Sequence, residues 1–285
     1  MSYQNHPIPV KAQLFLNSLS KSPIGQAITW SGSGEIVGHW RGWKISSVFQ
    51  PILHSVHSVN AHGYEAFIRC VNSQGVKITP RGLFANTSDA ESLMHLDRLC
   101  RTVHLLNFIL GTSSDKKLFL NVHDGLIFAV VDNHGSAFRK VVDALGFSSK
   151  RVVIELPLEL SRNTNHLSFV LQNYRLNSLD IAINIDSIEQ WLSIPQLPKV
   201  SYIKIARNIL DTYPNPVEQV KALLASDPDV KVVITKNETF FDSFEDSRLY
   251  TQGHSYGYPA QLVSDFPLNI FGQQDVTTPG LFIGG

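Results

Sequence analysis

Val152-Val153-Ile154-Glu155-Leu156, Ile181-Ala182-Ile183-Asn184-Ile185, Tyr202-Ile203-Lys204-Ile205 and Val232-Val233-Ile234-Thr235 are four short runs that point to one fold class. Each is short and rich in β-branched residues, and each is separated from the next by a longer segment of helical period. Apolar runs alternating with helices are the signature of βα units and a parallel sheet. Similar runs lie at residues 48–53, 64–69 and 118–122, with a weaker one near 249–252.

The segments between carry helix start signals. Ser88 with Glu91 has capping-box spacing, and Leu96, Leu99, Val103, Leu106 and Leu110 follow on one helical face. Asn215 before Pro216 sets a cap residue ahead of proline at the first helical position, with Val217, Val220 and Leu224 as the buried stripe. Eight strand-like runs with interleaved helices predict an α/β fold, a closed TIM-type (β/α)8 barrel, and about 240 residues suit one. Residues 1–44 read as an N-terminal extension, with a short apolar patch at 14–19, a Ser31-Gly32-Ser33-Gly34 joint, and Trp40 and Trp43. Residues 45–285 read as the barrel with a short C-terminal tail. The two tryptophans suit either a protein contact or a cap on the barrel's bottom.

Composition narrows the function classes. The chain has 285 residues, 43% hydrophobic and 17% charged, and 24 basic side chains balance 24 acidic ones. That leaves no basic excess for sequence-independent DNA binding. No stretch reaches the roughly 20 apolar residues of a membrane span. Cys70 and Cys100 lack zinc-site spacing, which points to a reduced, cytoplasmic setting.

In a βα barrel, chemistry sits at the C-terminal ends of the strands. The polar residues closing the runs are Glu65, Asn121, Glu155, Asn184, Lys204, Thr235 and Gln252. Two glutamates and an asparagine form a hard-oxygen set suited to magnesium, manganese or calcium. Glutamate and lysine beneath one mouth also suit a phosphorylated ligand. His123 and His254 read as hydrogen-bonded loop residues near that mouth.

These residues resemble a known family. Phe49-Gln50-Pro51-Ile52 and Gly63-Tyr64-Glu65-Ala66-Phe67-Ile68-Arg69 are similar to the QPI and EALLR signatures of EAL domains, with Phe67 at the leucine position. Gly75 through Pro80 to Phe84 is similar to the loop that follows. The likeness continues through Leu120-Asn121-Val122, Val153-Ile154-Glu155-Leu156 and Tyr202-Ile203-Lys204-Ile205, and ends at Gln252-Gly253-His254-Ser255-Tyr256-Gly257-Tyr258-Pro259, which resembles QGYxxGxP.

The resemblance implies a modified TIM barrel whose active members hydrolyse cyclic di-GMP to pGpG with two divalent metals. It implies nucleotide contacts at Gln50, Glu65, Phe67, Arg69, Pro80 and Gln252, with Phe67 either packing on a guanine or filling the rim. It implies one metal at Glu65, Asn121, Glu155 and the position of Asn184. A second would use the positions of Asn184, Ile185 and Thr235, where the carboxylates are gone.

Isoleucine has no lone pair to offer, and threonine and asparagine bring no charge. Asp186 lies two positions beyond Asn184, where a bulge could bring it to the mouth without replacing Thr235. Leu158, Ala206 and Tyr258 also depart from the family's glutamate, aspartate and arginine; Lys236 stands where it has glycine; Lys204, Glu238 and Gln252 match. The expectation is a degenerate domain, with Lys204 a vestige of catalysis, no cofactor required, and at most one weakly held magnesium or manganese ion. It would be a cyclic di-GMP receptor, with a protein-interaction regulator as the alternative and a residual phosphodiesterase behind both. A homodimer is left open.

Overall fold

The computed structural model describes residues 7–54, 61–87, 89–112, 115–129, 135–161, 163–193, 200–238, 244 and 246–261. Its strands are β1 (Ile28–Trp30), β2 (Ile36–Trp40), β3 (Trp43–Leu53), β4 (Ala61–Asn72), β5 (Lys77–Ile78) and β6 (Lys117–Asn121). They continue with β7 (Val152–Leu156), β8 (Asp180–Ile185), β9 (Tyr202–Ala206), β10 (Lys231–Thr235) and β11 (Leu249–Thr251). Eight of them close a barrel in the order β3, β4, β6, β7, β8, β9, β10, β11, which returns to β3.

The expected strands are all present, but one direction needs correcting. β3 runs antiparallel to both its neighbours, β4 and β11. A parallel neighbour would need a crossover of a dozen or more residues, and the link from Leu53 to Ala61 is too short for one. The other contacts around the barrel, from β4 through β11, are parallel.

The boundary drawn at residue 44 falls inside β3. β2 pairs antiparallel with it, Trp40 opposite Trp43, across a turn in which Arg41 (φ 46°) and Gly42 (φ 83°) are both left-handed. Two left-handed residues match the twist of a tight hairpin. The segment read as an extension therefore continues the barrel's own sheet through β2 and β1. The joint at Ser31 to Gly34 is the turn between those two strands, with Gly34 at φ 87°. Trp40 and Trp43 are half-buried against the helix-side core, and the Arg41 guanidinium lies 5.2 Å over the Trp40 ring.

The helix Ala90–Gly111 buries Leu96, Leu99, Val103 and Leu106. Its cap is Asp89, whose carboxylate accepts from the Ser92 N–H at 2.7 Å, while Ser88 lies outside the described residues. Asn215 caps Pro216–Ser226 as the sequence suggests. Cys70 and Cys100 are buried free thiols. Among the described residues no helix is long and apolar enough to cross a membrane.

Side chains alternate across the barrel wall as a pleat requires. Leu118, Leu120, Val152, Ile154, Ile181, Ile183, Ile203, Ile205, Val232 and Ile234 point outward into the layer under the helices. Ile52, Phe119, Val153, Ala182, Tyr202, Val233 and Tyr250 fill the barrel interior.

Candidate functional site

The interior apolar layer fixes what lies above it. Two residues beyond Phe119, Val153, Ala182, Tyr202, Val233 and Tyr250 stand Asn121, Glu155, Asn184, Lys204, Thr235 and Gln252, so the period of two puts them on the same inward face at the C-terminal rim. Glu65 comes from β4, and Gln50 joins from antiparallel β3 directly opposite it. Register does the rest, setting Asn121 beside Glu155 and Asn184 beside Lys204.

Lys204 is the centre of the cluster. Its Nζ donates to Glu65 Oε2 at 2.7 Å and Glu155 Oε2 at 2.6 Å, and the side chain is 1% exposed. Asn121 Nδ2 donates to Glu65 Oε1 (2.8 Å), Gln252 Nε2 to Glu65 Oε2 (2.9 Å), and Asn184 Nδ2 to Glu155 Oε1 (3.0 Å). Burial lowers the ammonium's hold on its proton, but the two carboxylates outweigh that and keep Lys204 above the ordinary lysine range. Burial raises the Glu65 carboxyl, and the Lys204 charge with the three donors more than offsets it, leaving Glu65 below the usual range. Glu155 goes the other way: burial and then the charge of Glu65 push it up, only partly answered by Lys204 and Asn184.

As arranged, these residues do not fit a divalent ion. All four carboxylate oxygens of Glu65 and Glu155 accept hydrogen bonds, and the place between the two groups is filled by an ammonium. Asn121 and Asn184 turn their N–H₂ groups, not their oxygens, toward the carboxylates. No group of three or more acidic, histidine or cysteine side chains among the described residues could hold a metal.

Above the cluster opens a cavity of about 280 Å³ lined by Gln50, Glu65, Phe67, Glu155, Asn184, Lys204, Thr235, Lys236, Glu238, Gln252, Gly253 and His254. Phe67, half-buried, also lines a neighbouring groove of about 610 Å³ that includes Pro80, Arg81, Arg101, Asn121 and His123. Pro80 and Asn121 thus face the groove and not the first cavity. Arg69 lines neither: it is exposed and donates to the Ile68 carbonyl. Asn184 and Thr235 line the cavity, but Ile185 is 4% exposed and lies in the apolar layer under the helices. Asp186 lines neither opening.

The far rim is built by close backbone approach. A Cβ on Gly253 would come within 1.9 Å of the Asn237 carbonyl oxygen, so the Gln-Gly pair of the last motif lets two loops touch. Asn237 is fully buried and donates to Thr251 Oγ1 and the Tyr256 hydroxyl. Beside it Lys236 adopts φ 52°, a left-handed conformation costing a non-glycine residue about 1 kcal/mol. Glu238 accepts from the His254 and Ser255 N–H groups, and His254 stacks on Tyr258 at 4.7 Å. His123 accepts from the Gly125 N–H and stacks on Phe84, so neither histidine is placed as a base over the cluster.

Sequence reading missed the buried Asp97–Arg101 pair in the groove, where Arg101 lies 4.8 Å over the Phe138 ring. Its signal was available as opposite charges four apart on an otherwise apolar helix face.

No family model matches this sequence, and no curated protein matches it. Solved structures do match its fold. The Bacillus subtilis YkuI protein, with an EAL domain, in complex with substrate c-di-GMP and calcium, superposes with TM-score 0.60 at 20% identity, over 78% of this chain and 56% of that one. The Klebsiella pneumoniae BlrP1 complex with manganese and cyclic di-GMP gives 0.58 at 19%, over 80% and 59%. The Xanthomonas citri FimX EAL domain in complex with c-di-GMP gives 0.59 at 12%, over 90% and 96%. The chain thus spans somewhat over half of YkuI and BlrP1, and nearly all of the isolated FimX domain.

Proposed function

We propose that this chain, which has the fold of EAL domains, binds cyclic di-GMP at its barrel mouth and does not hydrolyse it. The observation that carries the second half is that Asn184 and Thr235, on the cavity wall, are neutral and that Ile185 lies in the apolar layer under the helices. In-line attack on a phosphodiester by paired ions needs two of them roughly 4 Å apart, one to activate water and one to take up charge on the leaving oxygen. Where the resemblance puts the second ion, this chain has Thr235, Asn184 and a turned-away Ile185, none of which brings a carboxylate. Support for the first half is the polar rim itself: Gln50, Glu65 and Gln252 are linked to one another beneath an open cavity, and similar folds are solved with this nucleotide bound.

Calorimetric titration with cyclic di-GMP, with chromatography of the nucleotide afterwards, tests both halves. Saturable heat with intact nucleotide is expected; release of pGpG would end the proposal. One observation favours a second reading, a regulator that meets a protein through this face: the cavity's 280 Å³ lies at the lower edge of ligand-sized pockets. Absence of any nucleotide heat would favour that reading. A cytoplasmic setting belongs to the proposal in either case.

A further inference from the structure

We infer that Lys236 is the residue that receives a phosphate of the bound nucleotide, and that the mouth of this barrel takes its ligand without any divalent ion. The inference rests on the proposed nucleotide binding and names the group that makes it feasible. Three carboxylates, Glu65, Glu155 and Glu238, line the cavity, and a phosphodiester entering there needs positive charge to meet it. Lys204 supplies none outward, because it is 1% exposed and committed to both buried glutamates. Asn184, Thr235 and Gln252 are neutral. Lys236 is the remaining lysine or arginine on the cavity wall, it is exposed, and among the described residues it has no ion-pair or hydrogen-bond partner.

Its backbone gives independent support. Left-handed φ at a lysine is uncommon, and a position that would be relaxed with glycine holds a strained cation on the lip of a cavity lined, apart from the committed Lys204, by carboxylates and neutral groups. Strain held at a ligand-facing residue is a mark of a site that uses it. The lysine follows the end of β10 next to Thr235, with β11 between that strand and β3, which carries Gln50.

The test is titration of cyclic di-GMP into the full chain in EDTA, and again with magnesium, for the unmodified protein and for Lys236→Gly, Lys236→Gln and Lys236→Arg. Loss of one charge-assisted contact to phosphate is expected to weaken binding about ten-fold or more in the first two, with the arginine variant near the parent. Added salt should weaken the parent more than the glycine variant, since exposed charge is screened. Lys236→Gly relieves the left-handed strain, so its thermal midpoint should not fall, which separates lost contact from lost fold. Parent-like affinity in the glycine variant, or binding that appears only with magnesium, would overturn the inference while leaving nucleotide binding intact. No binding by the unmodified chain in either buffer would overturn both together.

Discussion

Replacing Lys204 by methionine should be the most damaging conservative change in the barrel, and its damage should depend on pH. Methionine keeps much of the volume but leaves Glu65 and Glu155, 7% and 4% exposed, facing each other without a cation. Breaking a buried ion pair from one side costs about 3–5 kcal/mol. The hydrogen bonds from Asn121, Gln252 and Asn184 remain and will hold the cost within that range. With the ammonium gone, both carboxyls favour the protonated form, so their folded pKa values rise above the ordinary 4.5. A raised carboxyl favours the folded state most below its unfolded pKa and progressively less as pH rises through the folded value. The variant should therefore be worst near pH 8 and recover at least 1 kcal/mol near pH 5, about one pKa unit. Urea denaturation at both pH values measures this directly, and at pH 8 the thermal midpoint should drop by roughly 10 °C. A loss under 1 kcal/mol, or one equal at the two pH values, would refute the description of Lys204 as the counter-ion of both glutamates.

Acid should destabilise the parent protein as well. Burial pushes His62 down to about 4, helped by the charges of Lys117 and Lys231, and pushes His104 down to about 3. Both stay neutral in the fold, so their contribution is complete above 6.5 and lost as pH falls; at pH 5 each should have given up about 2 kcal/mol, and a flat urea midpoint from pH 7 to 5 would contradict it. Gly253→Ala should cost about 2 kcal/mol or more through the clash with the Asn237 carbonyl, and a change under 0.5 would show that the two loops do not touch. Ile185→Asp should destabilise by about 3 kcal/mol or more and recruit no manganese, because the side chain enters the apolar layer; stable protein that binds the ion would show that the position reaches the mouth.

Much of this was legible in the sequence because it depends on short-range pattern. Runs such as Val152–Leu156 identify themselves by composition, and the period of two that puts Val153 in the interior puts Glu155 on the rim. What resisted reading depends on distance across strands. Glu65, Asn121 and Glu155 spell a metal site in sequence order, and only the register of β4, β7 and β9 shows a lysine nitrogen within 2.7 Å of both glutamates. That Ile185, the last residue of β8, turns outward depends on the pleat of the folded strand, which puts its side chain in the layer under the helices. The antiparallel course of β3 and the pairing of β2 with it follow from short connections whose partners are not marked in the residues themselves.

Binding without turnover is tested on one sample of unmodified protein in two steps. Cyclic di-GMP is titrated calorimetrically in EDTA, then manganese is added in excess and the nucleotide is recovered and chromatographed. Saturable binding with the nucleotide recovered whole is the expected result; conversion to pGpG after manganese is added would contradict it.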